Sequence, residues 1–116
     1  GPSLVIAYSH CIAHGYDMAM GVDQQDRAVR SGHWPLYRFD PRRARAGETP
    51  LVLDSKHPTL PLSEYPRNEA RYRIVERMDP DRYRELMARA QRNASERTGI
   101  YEQLARLTVE TPAVEE

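Results

Sequence analysis

Leu4-Val5-Ile6-Ala7-Tyr8-Ser9-His10-Cys11-Ile12-Ala13-His14-Gly15 decides how the rest of this 116-residue chain is read. Leu4 to Tyr8 is a short, continuous apolar run rich in β-preferring residues. Such a run predicts a strand buried on both faces, the usual state in a parallel α/β sheet. Ser9-His10-Cys11 leaves that strand, and Gly15 permits a turn. Loops at the carboxyl ends of such strands are where open α/β folds place ligands.

Working outward, Asp17 to Arg30 predicts a helix with Ala19, Val22, Ala28 and Val29 on its inner face, stopped at Gly32. Trp34 to Asp40 reads as a strand that Pro35 confines to an edge. Pro41 to Thr49 reads as a basic loop, and Leu51-Val52-Leu53 as a third strand. Pro58 and Pro61 exclude a helix between Asp54 and Pro61. The remainder is helical. Asn68 to Met78 is one helix, and Asp79-Pro80 signals the start of another by an N-cap carboxylate followed by proline. Tyr83, Leu86, Met87, Ala90, Ala94, Tyr101 and Leu104 then recur at helical spacing as one apolar stripe. Gly99 weakens that helix by about 1 kcal/mol relative to Ala, which leaves room for a kink or break near it. The organisation is thus an α/β segment over 1–66, a helical arm over 67–107 and a tail or linker over 108–116.

Composition narrows the function. The chain has 17 basic and 17 acidic side chains, no net charge and 40% hydrophobic residues, with a mean hydropathy of −0.76. Zero net charge argues against holding nucleic acid or anionic lipid by bulk charge. No run approaches the roughly 20 apolar residues of a membrane span. One cysteine closes no internal disulfide and no signal peptide is visible, so a soluble, cytoplasmic protein is expected. All basic residues but Lys56 are Arg.

Three accounts of Cys11 compete on the residues alone. It is a small buried hydrophobe, a thiolate with His10 or His14 as base, or a metal ligand. A zinc site from His10, Cys11 and His14 is disfavoured, because His-x-x-x-His needs a helix to put both rings on one face and a fourth ligand is missing. An iron–sulfur cluster takes about four thiolates, so Cys11 is one member of such a site at most. Elsewhere, His33 beside Trp34 reads as a packed pair. Arg38, Arg42, Arg43 and Arg45 read as a solvated basic patch. Ser55 and Lys56 lack the glycines of a nucleophile elbow. No catalytic residue is assigned.

The first fifteen residues, Gly1 to Gly15, closely resemble a segment of the large single-chain pyruvate:ferredoxin (flavodoxin) oxidoreductases. The resemblance continues through Ala28 to Pro41, through Pro50 to Lys56, and more loosely to Tyr101-Glu102-Gln103-Leu104-Ala105. It implies that the chain is the C-terminal part of a longer enzyme, after the core of its thiamine-diphosphate-binding fold. It implies oxidative decarboxylation of pyruvate with coenzyme A, giving acetyl-CoA and CO2. Electrons would pass through [4Fe-4S] clusters to ferredoxin or flavodoxin, in an enzyme expected to be a homodimer. The resemblance makes Cys11 a ligand of the cluster nearest the thiamine, with three companion cysteines elsewhere in the polypeptide. His10 and His14 match the same block and would lie near the sulfurs, where hydrogen bonds tune a cluster. Thiamine diphosphate and Mg2+ would bind outside these residues, so the isolated segment is expected to be inactive. The alternative is a small cytosolic interaction or assembly module that uses its helical stripe, with Cys11 buried.

Overall fold

In a computed structural model describing residues 1–110, the apolar run that opens the chain is not a strand. Leu4, Val5 and Ile6 are 85%, 88% and 65% exposed, and no regular element includes them. The expectation of a buried strand over Leu4–Tyr8 is corrected for a simple reason. A strand buried on both faces needs hydrogen-bonded neighbours on its edges, and these described residues form only one small sheet, elsewhere. Tyr8 alone of this run turns inward, stacking on Trp34 with ring centroids 5.0 Å apart. A groove of about 340 Å³ lies beside this N-terminal arm, residues 1–8, lined in part by Ile6, Tyr8, Ala28 and Trp34.

The predicted helix at Asp17–Arg30 forms in two parts, a 3-10 turn at Met18–Met20 and helix α1 at Gly21–Arg30. The Asp17 carboxylate caps the turn by accepting from the Ala19 N–H at 3.0 Å. The inner face differs from expectation. Gln24 and Ala28 are buried, whereas Ala19 and Val22 are exposed and Val29 is only half-buried. Beyond α1 the chain reverses at Gly32, whose φ of +74° suits glycine. A Cβ there would also lie 2.9 Å from Pro58 Cγ.

Strands β1 (Tyr37–Phe39) and β2 (Leu51–Leu53) pair antiparallel, with Tyr37 opposite Leu53 and Phe39 opposite Leu51. The α/β expectation is therefore met only as a helix-rich fold with a two-stranded antiparallel sheet. The basic segment between the strands is not wholly loop. Helix α2 (Arg42–Arg45) forms there, begun by the Asp40 carboxylate accepting from the Arg42 N–H at 3.0 Å. Residues 54–61 contain no helix, as the prolines require. They run back along the end of α1, where Arg30 O accepts from the N–H groups of Thr59 and Leu60.

Two 3-10 turns, Leu62–Glu64 and Pro66–Asn68, lead into α3 (Ala70–Met78) and α4 (Pro80–Leu104). The Asp79 carboxylate accepts from the Arg82 N–H at 2.9 Å, so the N-cap read from the sequence is present. At 25 residues, α4 is about 37 Å long. It continues past Gly99 without a break. Nothing approaches a Cβ built at Gly99, and the Thr98 hydroxyl adds a bond to Ala94 O at that level. Residues 108–110 have no regular structure, and the rest of the expected tail lies outside the described residues.

The core is small: Ala28, Ala44, Leu51, Leu62, Tyr65 and Ala94. The accessible surface is 8926 Å², against about 6,500 Å² for a compact monomer of this mass. Much of the excess is apolar. Ile74, Val75 and Met78 on α3, and Leu86 and Leu104 on α4, stand in the open.

Candidate metal-ligand loop

Cys11 occupies the N-cap of a 3-10 turn, Ile12–His14, with extended backbone at φ −138° and ψ 144°. The turn closes on two bonds, from the His14 N–H to Cys11 O at 3.0 Å and from the Gly15 N–H to Ile12 O at 3.2 Å. Gly15 ends it at φ +68°, a region that disfavours other residues. It also meets α3 at close range. Gly15 O accepts from the Ala70 N–H at 2.7 Å, and a Cβ at Gly15 would fall 2.6 Å from Ala70 Cβ. The loop is therefore strapped to the start of α3 at one end and stacked through Tyr8 on Trp34 at the other.

Beneath the loop lies a polar knot centred on a carboxylate that solvent does not reach. Glu69 is 0% exposed. One of its carboxylate oxygens accepts from Gln24 Nε2 at 3.0 Å and the other from Arg71 Nε. His14 Nδ1 lies 3.9 Å from that second oxygen. Gln24 is itself fully used, donating to Tyr65 O at 3.0 Å and accepting from Asn68 Nδ2 at 3.2 Å. The Tyr65 hydroxyl meets that of Tyr8 at 2.5 Å, and its ring stacks on His33 with centroids 4.2 Å apart. Burial, followed by the bond to Tyr8, pushes the Tyr65 phenol above its ordinary value. Burial, and then the Arg97 charge, hold His33 below the usual histidine value and so favour its neutral form. Arg97 reaches this place by donating to Gly32 O at 2.7 Å and His33 O at 2.9 Å.

Each candidate from the sequence has a defined place. Cys11 is exposed and its thiol is free, so it is not the buried hydrophobe of one account. No hydrogen bond joins its sulfur to His10 or His14, and among the described residues no set of three His, Cys, Asp or Glu side chains could hold a metal. The His10 ring packs against α1, where a Cβ on Gly21 would fall 3.1 Å from Nε2, and faces Tyr16 edge-on at 5.6 Å. His14 turns toward Glu69. Both imidazoles thus belong to the packing under the loop. Cys11 is left as a lone sulfur donor, which fits a four-thiolate cluster only with three thiolates from outside these residues.

The remaining candidates are structural. Ser55 Oγ accepts from the Leu36 N–H at 3.0 Å, which closes the turn after β2. Arg38 grips Asp54 with two nitrogens. Arg42 pairs with Asp40 and Arg43 with Glu48, so most of the basic patch is neutralised locally. The hydrogen bond from Arg42 holds the Asp40 carboxyl down at about 2. Sequence reasoning passed over Gln24, Tyr65, Glu69 and Arg71. The available signal was Gln24 one turn before Ala28, on the face that α1 buries.

Comparison with known proteins fits this geometry. No protein-family profile matches the chain. Over 105 residues, nine tenths of its length, it is 50% identical to the pyruvate-flavodoxin oxidoreductase of Rhodospirillum rubrum. The same span is 39% identical to the pyruvate:ferredoxin oxidoreductase of Moorella thermoacetica. It is 43% identical to a probable pyruvate-flavodoxin oxidoreductase of Escherichia coli. The chain spans only 9% of the length of each. It is thus homologous to one segment of a class of large redox enzymes. In particular, that segment belongs to the pyruvate:flavodoxin/ferredoxin oxidoreductases, as the resemblance in residues 1–15 led one to expect.

Proposed function

We propose that this chain works as the cluster-ligand segment of a thiamine-diphosphate-dependent pyruvate:ferredoxin or flavodoxin oxidoreductase, with Cys11 as one thiolate ligand of a [4Fe-4S] cluster. The observation that carries the reading is the free, exposed Cys11 thiol on a loop fastened at both ends, in a chain 50% identical to such an enzyme. A bound cluster would supply one-electron transfer between the thiamine site and the acceptor protein. What the residues here contribute is mechanical and electrostatic. The turn Ile12–His14 fixes the backbone of the ligand, Gly15 allows the loop to lie flat on α3, and the aromatic stack of Tyr8, Trp34, His33 and Tyr65 keeps water from beneath it.

The rest of the enzyme completes the picture. The exposed Leu4–Ile6 run is covered by a neighbouring part of the polypeptide. Residues 1–66 carry the ligand loop, 67–107 form the helical arm, and 108–116 link onward. Thiamine diphosphate, Mg2+, coenzyme A and the three companion cysteines are held by other parts of the polypeptide. The enzyme is a cytoplasmic homodimer, and this segment has no activity alone.

The test is Cys11→Ser in the full-length enzyme, purified without oxygen. One cluster, about four irons per chain, is lost and reduction of flavodoxin or ferredoxin collapses, while thiamine diphosphate stays bound. Iron content equal to that of the native enzyme would remove Cys11 from the ligand set.

A further inference from the structure

Glu69 is the most deeply buried charged side chain described, and the activity proposed above gives it no task. A carboxylate taken wholly out of water is costly unless its oxygens are well satisfied. Here each oxygen has its own donor, Gln24 Nε2 on one side and Arg71 Nε on the other. These donors come from α1 and from the first turn of α3. Glu69 immediately precedes Ala70, whose N–H holds Gly15 O at 2.7 Å, and its own oxygen faces His14 Nδ1 at 3.9 Å. Two contacts therefore meet the last two residues of the Cys11 loop at this point of α3: the Ala70 N–H on Gly15 O, and the close, unbonded approach of His14 Nδ1 to the Glu69 carboxylate. The chain of support runs from Glu69, through His14 beside it and the adjoining Ala70 N–H on Gly15, to the two hydrogen bonds that close the turn on Cys11.

We propose that Glu69 is a positioning residue for the Cys11 sulfur: clamped between Gln24 and Arg71, it holds the His14–Gly15 end of the loop on α3 and so sets the direction in which the thiolate faces. This rests on the reading of Cys11 as a cluster ligand. Groups that orient a metal ligand from behind commonly alter metal affinity by about 10- to 100-fold when replaced. Glu69→Gln keeps the shape and the bond from Gln24. It sets an amide N–H2 against Arg71 Nε and His14, so the second half of the clamp is lost.

The experiment uses the full-length enzyme and first identifies, by electron paramagnetic resonance, the reduced-cluster signal that Cys11→Ser abolishes. In Glu69→Gln that signal is expected to persist with shifted g-values, and iron retention against a chelator to weaken about 10-fold. Glu69→Asp is expected to recover part of both. A Glu69→Gln enzyme whose melting temperature falls while this signal and chelator resistance remain native would overturn the proposal, reducing Glu69 to a fold-stabilising residue. If Glu69→Gln does not accumulate, Arg71→Gln, altered at a partly exposed site, breaks the same clamp from its other side. It is held to the same two readouts, and native values there also overturn the proposal. Should Cys11→Ser retain every cluster signal, the ligand reading itself fails, an outcome distinct from any Glu69 result.

Discussion

The knot under the Cys11 loop and the N-terminal arm that leads into that loop are built on opposite principles. Around Glu69, the polar contacts of Gln24 and the carboxylate are satisfied inside the segment, and two stacked pairs, Tyr65 on His33 and Tyr8 on Trp34, meet where Tyr8 faces His33 edge-on. Along Leu4–Ile6, three of the most apolar residues in the chain meet water. The outer face of α3 repeats that condition at Ile74, Val75 and Met78. The difference teaches where this segment is self-sufficient. Its Cys11 loop has an internal foundation, whereas its margins leave apolar side chains uncovered among the described residues.

The strongest way to break this contrast is to remove the centre of the knot. Tyr65→Ala deletes a buried ring and is expected to cost about 3–5 kcal/mol, read as a fall in the midpoint of denaturation of the full enzyme. A loss below about 1 kcal/mol would mean that the knot is not a foundation. Next, Val5→Asp probes the arm. In the full enzyme, burial of an unpaired carboxylate is expected to lower stability by several kcal/mol. In the isolated segment the same change should fall within about 0.5 kcal/mol, as for an exposed site. Equal effects in the two settings would erase the distinction between foundation and margin.

Smaller effects sharpen it. Asp79→Ala removes the cap of α4 and is expected to cost about 1 kcal/mol, detectable as lost helicity and a lower melting temperature. The smallest effect concerns pH. His33 has a folded pKa depressed by burial and by Arg97, so the unfolded chain binds the proton more readily. Its contribution is complete above the unfolded value of about 6.5 and is lost as pH falls through the lower folded value. A His33→Gln enzyme is therefore expected to lose less stability than the native one between pH 7 and 5, in parallel urea titrations. Identical slopes would leave His33 outside the knot's electrostatics.

Local chemistry made some of this legible in advance. Asp79-Pro80 marked the start of α4 to the residue, Gly32 marked the end of α1, and the prolines after Asp54 kept that segment free of helix. These signals act over four or five residues and carry their own hydrogen-bond logic. Leu4–Tyr8 was misread as a finished strand because its composition encodes what it contacts, and those contacts are not made within the described residues. Cys11 stood out through resemblance to a family, while its exposure and lack of a base became visible only in three dimensions. Glu69 gave no signal. An acidic residue before a helix is common on surfaces, and its burial depends on Gln24, some 45 residues away.

The bond from Ala70 to Gly15 also bears on how the Cys11 loop is made during folding. It joins points roughly 55 residues apart, and closing a loop of that size costs on the order of 3–4 kcal/mol of chain entropy before any contact repays it. Contacts of such separation tend to form after local helices have condensed. A nascent chain therefore carries a loosely held thiol at position 11 until α3 docks, and only then is its sulfur presented in one direction. Formation of this loop has a built-in order: local helices first, closure against α3 second.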